Sequence, residues 1–297
     1  MPADSASSPR LSTGFQGLDE LLAGGLLPGT LTVVAGATGI GKTQLGLQFA
    51  QAGQRQEGRR GVLFDMSARL DSQAHADYAR RLFDWRLDPA GTQPIADFHR
   101  FFRDDSPHGD YLHVFDHRGP VTDQQSNDEA RHQWQVELAH KLSATVAFLY
   151  GNFIAGTRWV VIGGIEPAER PNQSIQFELF EYVYHQVLRK DSQWVARDLL
   201  RQHYRAFASL AEEHAYDWRQ TACLLLYTSH EVMLDHLMER PLQDGDLLAN
   251  ATTLIYLGKI RDGAKMARGM FVAKHRGSAC REEVARFRIE DRGLVLE

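Results

Sequence analysis

The sequence predicts an α/β fold in which helices cover both faces of a mostly parallel central sheet. Three observations favour this class. Short apolar runs alternate with longer amphipathic segments, as in sheets whose strands are buried on both faces. The chain has 297 residues, 43% hydrophobic and 24% charged, which is enough for one large folded domain. Near its C-terminal end the sequence returns to short strands punctuated by glycines.

The strands are predicted from continuous apolar runs and the helices from apolar residues at helical spacing. The predicted strands are Leu31–Ala35, Gly61–Asp65, Tyr111–Phe115, Trp159–Ile162, Cys223–Thr228, Thr253–Leu257, Met270–Lys274 and Arg286–Ile289. The predicted early helices are Lys42–Ala52, Ser72–Phe83 and Asn127–Phe153. After Pro167 the helical spacing continues without a strong breaker, which predicts two helices separated near residues 190–193.

These patterns predict a single domain over residues 11–297. The helical stretch at about residues 167–215 is expected to be an insertion into it. Residues 1–10 are rich in Ser, Pro and Ala, which is typical of a disordered tail.

Composition narrows the function classes. The formal net charge of −5 makes a nucleic-acid partner unlikely, although it does not exclude a local basic patch. The two cysteines, Cys223 and Cys280, lie far apart, which argues against a disulfide framework or a zinc site. The longest mainly apolar stretch, residues 144–154, is shorter than the roughly 20 residues that span a bilayer. We therefore expect a soluble cytoplasmic protein without a membrane partner.

Residues 36–43 fit G-x-x-x-x-G-K-[ST], the P-loop or Walker A pattern. They are Gly36, Ala37, Thr38, Gly39, Ile40, Gly41, Lys42 and Thr43. The glycines allow the backbone to wrap around phosphate oxygens, and the following helix directs its positive dipole end towards them. Lys42 is expected to reach the β- and γ-phosphates, and the Thr43 hydroxyl to bind Mg²⁺. A random chain of this length contains the pattern about 1% of the time. The pattern predicts nucleotide binding; the alternative is a relic loop that no longer binds.

Motifs at both ends of the chain carry a family resemblance. Before the P-loop stand Ser12-Thr13-Gly14, Gly17-Leu18-Asp19, Gly24-Gly25-Leu26, Pro28 and Gly29. Near the end stand "KHRGS" (274–278) and "DRGLV" (291–295). With these motifs in this order, the chain resembles KaiC-type ATPases of the RecA superfamily.

The resemblance implies a RecA-like P-loop core with a mostly parallel central sheet and C-terminal antiparallel strands. It also implies ATP and Mg²⁺ as cofactors and a homo-oligomer, often a hexameric ring, with ATP between subunits. In this family the lysine and arginine of K-x-R-G-S reach the neighbouring ATP site, so Lys274 and Arg276 become candidate catalytic residues. Two cations near the γ-phosphate would stabilise the charge of the transition state. The alternative is that both are solvated charges on an edge strand.

The chain departs from the family pattern where acids are expected. The aspartate that ends the second apolar strand is replaced by Gly163, and Glu166 follows three residues later. The paired glutamates after the preceding strand fall on Ser67 and Ala68. Asp65 is the remaining candidate for a carboxylate that activates water, because it ends a predicted strand where ligands bind in such sheets. A capping or turn role for Asp65 is the alternative.

Other features leave alternatives open. The histidines lack the spacing of a metal motif. Residues 228–230 end a strand and would serve either as a polar γ-phosphate sensor or as a plain turn. Aromatic residues of the insertion serve either in packing or in docking a protein partner. The leading hypothesis is a slow Mg-dependent ATPase that acts as an oligomeric regulatory or signalling protein. The alternatives are a non-hydrolysing assembly scaffold and a recombinase-like DNA-binding ATPase.

Overall fold

The computed structural model describes residues 9–67, 75–103, 106, 108–115, 128–165, 175–239 and 250–297, without side-chain detail at 128–135, 137 and 138. The strands are β1 (Thr30–Gly36), β2 (Val62–Asp65), β3 (Tyr111–His113), β4 (Trp159–Ile165), β5 (Ala222–Thr228), β6 (Thr253–Asp262), β7 (Lys265–His275), β8 (Ala285–Glu290) and β9 (Gly293–Leu296). The helices are α1 (Gln16–Leu21), α2 (Lys42–Glu57), α3 (His75–Phe83), α4 (Phe98–Phe101), α5 (Asp128–Ile154), α6 (Ile175–Val183), α7 (Ser192–Leu200), α8 (Tyr204–Glu213) and α9 (Leu234–Glu239). A π-helical turn (Tyr184–Leu188) and two 3-10 turns (Arg201–His203 and Trp218–Gln220) complete the elements of the described ranges.

These strands form one sheet in the order β3-β2-β4-β5-β1-β6-β7-β8-β9. The pairs from β3 to β6 are parallel, and the pairs from β6 to β9 are antiparallel. Three of the five parallel pairs, β1 with β5, β1 with β6 and β2 with β4, join strands that are not consecutive in sequence. Every parallel pair needs a crossover connection. The carboxyl ends of the parallel strands share one edge, which is where α/β sheets bind ligands. The arrangement confirms the predicted fold class.

Two apolar layers enclose the sheet. Alternate residues of β1 face opposite sides: Val33 packs with the layer that contains α5 and the helices of residues 175–213, whereas Val34 packs with the layer that contains α2 and α3. Both side chains are fully buried. Burying a valine stabilises a fold by about 1.5–3 kcal/mol. This two-sided burial is the reason that β1 reads as a continuous apolar run.

All eight predicted strands are present within the described residues, most of them one or more residues longer than predicted. The helix predicted over residues 42–52 continues to Glu57 and ends at Gly58, whose φ of 75° suits a left-handed cap. Four short elements were not predicted: α1, α4, α9 and β9. The second of the two helices predicted after Pro167 is divided into α7 and α8 by the 3-10 turn Arg201–His203. Residues 72–74 and 127, which begin two predicted helices, lie outside the described residues. No helix in the described ranges combines the length and the apolar character needed to cross a membrane.

The last strand, β9, is short and depends on a distant side chain. Gln48 of α2 accepts a hydrogen bond from the Leu294 amide at 2.7 Å and donates one to the Leu294 carbonyl at 3.2 Å. Gln48 is 5% exposed. A β-carbon on Gly293 would lie 2.4 Å from the Gln48 side chain, so only glycine fits there. The final strand is thereby attached to the helix that follows β1.

The segments predicted to be an insertion and a tail are described in part. Residues 167–174 lie outside the described residues; α6, the π turn, α7 and α8 follow. The Asp191 carboxylate accepts from the Trp194 amide at 3.0 Å and starts α7, close to the predicted separation. Of the predicted tail, residues 1–8 lie outside the described residues, whereas Arg10 donates to the carbonyls of Leu22 and Gly25 at 3.1 and 2.9 Å.

Candidate functional site

The P-loop connects the carboxyl end of β1 to the start of α2. Gly39 and Gly41 have φ values of 76° and 126°, which residues with a β-carbon rarely adopt. A β-carbon on Gly36 would lie 2.3 Å from the Leu257 carbonyl oxygen, so β6 also requires glycine there. Thr38 and Gly39 are exposed at the tip, whereas Gly36, Ala37, Ile40, Gly41 and Thr43 are buried. The backbone therefore forms an open cradle at the N-terminus of a 16-residue helix.

Lys42 lies inside this cradle. Its Nζ donates to the carbonyl oxygens of Gly36 at 2.8 Å and Ala37 at 2.9 Å. The residue is 6% exposed. Burial lowers the pKa of Lys42 to about 8, because removal from water disfavours the charged form. A phosphate at the loop would restore the lost stabilisation of that charge.

The end of β5 supports the loop. Thr228 is aligned with Gly36 across the parallel pair, and the Ser229 amide donates to the Gly36 carbonyl at 3.0 Å. The Ser229 hydroxyl accepts from the Glu231 amide at 3.1 Å, and His230 is exposed. Residues 228–230 thus lie beside the cradle and also close a turn, so both predicted roles remain compatible with their position.

The expected acid position is occupied by a glycine bulge. The pairing of β4 with β5 shifts between Ile162 and Ile165, which places Gly163 and Gly164 in the irregular segment. Gly164 has φ of 82°, and a β-carbon on it would lie 2.1 Å from the Ser67 nitrogen. A β-carbon on Gly163 would meet only Leu226 Cδ1, at 3.7 Å. A β-carbon therefore fits at 163 but not at 164.

Asp65 is the register neighbour of Gly163 on β2. The carboxylate is 3% exposed. Its Oδ1 accepts from the Ser67 amide and its Oδ2 from the Tyr111 hydroxyl, each at 2.9 Å. His75 Nδ1 lies 3.3 Å from Oδ2 but lacks hydrogen-bond geometry. Burial and the Asp65 charge raise the pKa of Tyr111, so this phenol remains a donor. Asp65 is thus a buried, preorganised carboxylate one strand beyond the expected acid position.

Three residues near this edge were missed by sequence reasoning: His75, Tyr111 and Gln176. Gln176 of α6 is buried and donates to the carbonyls of Met66 at 2.6 Å and Gly164 at 2.9 Å. No motif marks these residues, since they reach the site from three separate elements. Glu166 and Ala68 lie outside the described residues. In the described part of the chain, no group of three or more His, Cys, Asp and Glu is arranged to hold a metal ion.

Lys274 and Arg276 do not lie beside the P-loop of their own chain. Lys274 is aligned with Leu254, which is aligned with Val33, whereas the residue aligned with Gly36 is Leu257. This offset of three positions along β6 places Lys274 about 10 Å towards the amino edge of the sheet. Partial burial and the charge of Arg276 lower the pKa of Lys274. Arg276 is exposed.

A β-strand, a glycine-rich turn and a helix at the carboxyl edge of a parallel sheet, with β5 between β1 and β4, define a P-loop protein with a RecA-like core. The family model for the KaiC ATPase matches residues 11–88. The KaiC circadian clock oscillator protein of Rippkaea orientalis is 36% identical over 83 residues, which are 28% of this chain and 15% of that protein. The KaiC2 circadian clock protein of Synechocystis is 41% identical over 69 residues, 23% of this chain and 12% of that protein.

A solved structure extends the likeness to the whole fold. The KaiC-like protein of the archaeon Pyrococcus horikoshii superposes with a TM-score of 0.51 at 17% sequence identity, covering 97% of this chain and 98% of that one. The resemblance to KaiC-type ATPases is therefore confirmed, in sequence over the P-loop region and in fold over almost the whole chain. Together these comparisons show a KaiC-like sequence around the P-loop and a KaiC-like fold.

Proposed function

We propose that this chain binds MgATP at residues 36–43 and hydrolyses it slowly, as an oligomeric regulatory or signalling ATPase of the cytoplasm. The observation that carries the proposal is the cradle: glycines in left-handed conformations, the N-terminus of α2 and a buried lysine meet at one point. Residues 11–297 form a single domain in this proposal, and the helical insertion offers a surface to a protein partner. The clock role in the relatives' names is not carried over, because the match covers 15% or less of their length.

Each P-loop residue has a role towards the triphosphate. The backbone amides of residues 36–43 converge on phosphate oxygens, as at other helix N-termini that bind anions. Lys42 moves its ammonium from the Gly36 and Ala37 carbonyls to the β- and γ-phosphates. Thr43 is the residue that would hold Mg²⁺, which neutralises phosphate charge when bound. A water oxygen attacks the γ-phosphorus, the bond to the bridging oxygen breaks, and ADP leaves with that electron pair.

The acids explain why turnover is slow in this proposal. Gly163 supplies no carboxylate for the water shell of Mg²⁺. Asp65 is the proposed acceptor of the water proton, but both of its oxygens already accept hydrogen bonds within the protein, from the Ser67 amide and the Tyr111 hydroxyl. Glu166, which follows β4 in the sequence, is a second proposed carboxylate. A positioned base typically contributes about 10²- to 10⁴-fold to the rate. A carboxylate whose oxygens are already engaged would supply only part of that rate enhancement.

The cations are proposed to act between subunits. Lys274 and Arg276 lie towards the amino edge of the sheet, and the P-loop lies at the carboxyl edge. Two different surfaces that meet form a head-to-tail contact, which closes into a ring when the rotation permits. A homo-oligomer, hexameric in the ring form, would then bring each pair of cations to the next ATP.

Phosphate release tests the enzyme proposal. We expect Lys42→Ala to lower release by at least about 100-fold relative to the wild type, because a phosphate clamp acts mainly in the transition state. The measurement is inorganic phosphate production with ATP and Mg²⁺, with ATP binding followed in parallel by calorimetry. Equal release by both proteins would remove the enzyme hypothesis.

Two further hypotheses have distinct outcomes in these assays. The non-hydrolysing assembly scaffold is favoured by Gly163 and by the engaged carboxylate of Asp65. It predicts ATP-dependent oligomers without phosphate release. The hypothesis of a recombinase-like DNA-binding ATPase is disfavoured by the net charge of −5. Salt-dependent binding to single-stranded DNA would support it.

The pKa of Lys42 predicts a pH dependence of ATP binding. Burial sets this pKa to about 8 in the free protein, so the amine is neutral above that pH. The triphosphate favours the ammonium, so binding above pH 8 takes up a proton, and affinity falls by up to about tenfold per pH unit. Calorimetry at pH 7 and pH 9, in buffers of different ionisation enthalpy, measures the uptake.

Lys42→Arg is the matched control, because a guanidinium stays charged throughout this range. We expect the proton uptake to disappear in this variant even if its affinity is lower. An affinity that is constant from pH 7 to pH 9 in the wild type would contradict the prediction.

A further inference from the structure

A groove separates the inserted helices from the segment before α4. It is a cavity of about 230 Å³, and its lining includes Ile95, Phe98, His140, Ser143, Arg201 and His203. We call it the insertion groove. Phe98 and the helices around it pack with the layer of α5, whereas the P-loop helix α2 packs with the opposite layer. The groove is therefore on the other face of the sheet from the P-loop.

The lining combines one apolar wall with cationic and polar groups. Ile95 and Phe98 are partly buried and pack against the core. Arg201, His140 and His203 stand at the rim, and the described lining residues include no aspartate or glutamate. Arg201 also lines an adjoining cavity of about 90 Å³ together with Asp198, whose carboxylate accepts from the Tyr182 hydroxyl. The Arg201 charge acts on this pair, because it opposes the rise in the pKa of Tyr182. The groove thus offers positive charge beside apolar surface, which suits an anion with an apolar body.

Arg201 has a strained backbone at this position. Its φ of 48° and ψ of −117° lie in a region that residues other than glycine rarely adopt. Strain of this kind is concentrated at ligand clamps and active sites, where a particular side chain is needed. The Arg201 guanidinium makes no hydrogen bond or ion pair with any described residue. An arginine kept where glycine would fit better indicates that its side chain has a use.

Ring contacts hold the apolar wall in place. The Phe98 ring lies 5.4 Å from the His203 ring and 5.3 Å from the Phe207 ring, measured between centroids. Pairs at this separation are attractive beyond their buried area. The 92–98 segment is thereby fixed to the 3-10 turn that carries Arg201, so the groove is preformed.

We propose that the insertion groove binds a small organic anion, with a carboxylate or phosphate head at Arg201 and an apolar body against Ile95 and Phe98. The cavity is smaller than the roughly 300–1,000 Å³ of drug-sized ligand sites, which limits the body to about one ring. This inference does not depend on ATP binding or hydrolysis.

Calorimetry or ligand-observed NMR with simple probes tests the proposal. The probes are phenyl phosphate, phenylacetate and, as a neutral analogue, benzyl alcohol. We expect one or both anions to bind saturably and benzyl alcohol to bind at least about tenfold more weakly, because charged hydrogen bonds are the stronger ones. Comparing the affinities of phenyl phosphate and phenylacetate then shows whether the groove prefers a phosphate or a carboxylate head group.

Three variants distinguish anion binding at Arg201 from an effect on stability and from binding at the P-loop. They are Arg201→Gly, Arg201→Lys and Lys42→Ala. Glycine relieves the backbone strain, so Arg201→Gly should raise Tm by about 2 °C or more while weakening anion binding at least about tenfold. Arg201→Lys keeps the charge and should bind with intermediate affinity. Lys42→Ala should bind the anions as the wild type does.

Three results would overturn the inference: no saturable binding of either anion, binding that Arg201→Gly leaves unchanged, or binding that Lys42→Ala abolishes. A lower Tm for Arg201→Gly would show that Arg201 is structural and would equally count against it.

Discussion

Mixing two inactive variants, Lys42→Ala and the double variant Lys274→Ala/Arg276→Ala, should restore phosphate release that neither shows alone. Lys42→Ala alone is expected to lose at least about 100-fold. The double variant alone is expected to lose about 10³-fold or more, the range seen when an arginine that stabilises the transition state is removed. In the mixture, an active contact needs a double-variant subunit for its P-loop and a Lys42→Ala subunit for its cations. Random head-to-tail assembly produces this pairing at about one quarter of contacts. Phosphate release at about a quarter of the wild-type rate is the expected result.

The matched control replaces the double variant with the triple variant Lys42→Ala/Lys274→Ala/Arg276→Ala, which can assemble but offers no intact P-loop. That mixture should remain inactive. Cross-linking would verify that the variants co-assemble. If Lys42→Ala and the double variant co-assemble but release no phosphate, the proposal that the cations act on the ATP of a neighbouring subunit is contradicted. A double variant as active as the wild type would show that Lys274 and Arg276 are solvated edge charges.

Restoring an acid at the glycine bulge should accelerate hydrolysis. Gly163→Asp is expected to raise Mg-dependent phosphate release by about 10- to 100-fold, the usual effect of a residue in the outer shell of a metal site. The β-carbon of the new residue has room, because at 163 it meets only Leu226 Cδ1, at 3.7 Å. A β-carbon on Gly46 of α2 would contact the same Leu226 atom, at 3.0 Å, so the new side chain would face the P-loop helix.

Gly163→Asn is the matched control, since it has the same shape without the charge. The new carboxylate of Gly163→Asp would be aligned with Asp65, and the two negative charges would repel each other when Mg²⁺ is absent. We therefore expect Gly163→Asp to have a lower Tm than Gly163→Asn without nucleotide and to gain more from MgATP. Equal phosphate release by the two variants would show that the missing acid does not limit the rate.

The strands and the P-loop could be predicted because their signals are local. A strand buried on both faces, such as β1, is apolar almost throughout, and its run ends at the glycines of the P-loop pattern. The short elements gave weaker signals. The strand β9 has four residues and depends on hydrogen bonds from Gln48, which lies 246 positions earlier. The periodicity of a short segment contains no information about a hydrogen-bond partner so distant in the sequence.

The surroundings of the acids could not be predicted for the same reason. Asp65 was a candidate from its place at a strand end, but its partners come from β3 and α3. Tyr111 and His75 occur in ordinary strand and helix patterns and acquire meaning only when the sheet places them beside the carboxylate. Arg201 gave no signal at all, because a residue's φ is set by how the helices on either side of it pack.

The residue types of contiguous segments were enough to predict an α/β core and a glycine-rich loop between β1 and α2. The folded structure was needed to show that Lys274 and Arg276 lie away from their own P-loop and that a β-carbon fits at Gly163. It alone also placed Asp65 among its donors. These are relations between strands distant in sequence, and they depend on sheet order and register, which local patterns do not encode.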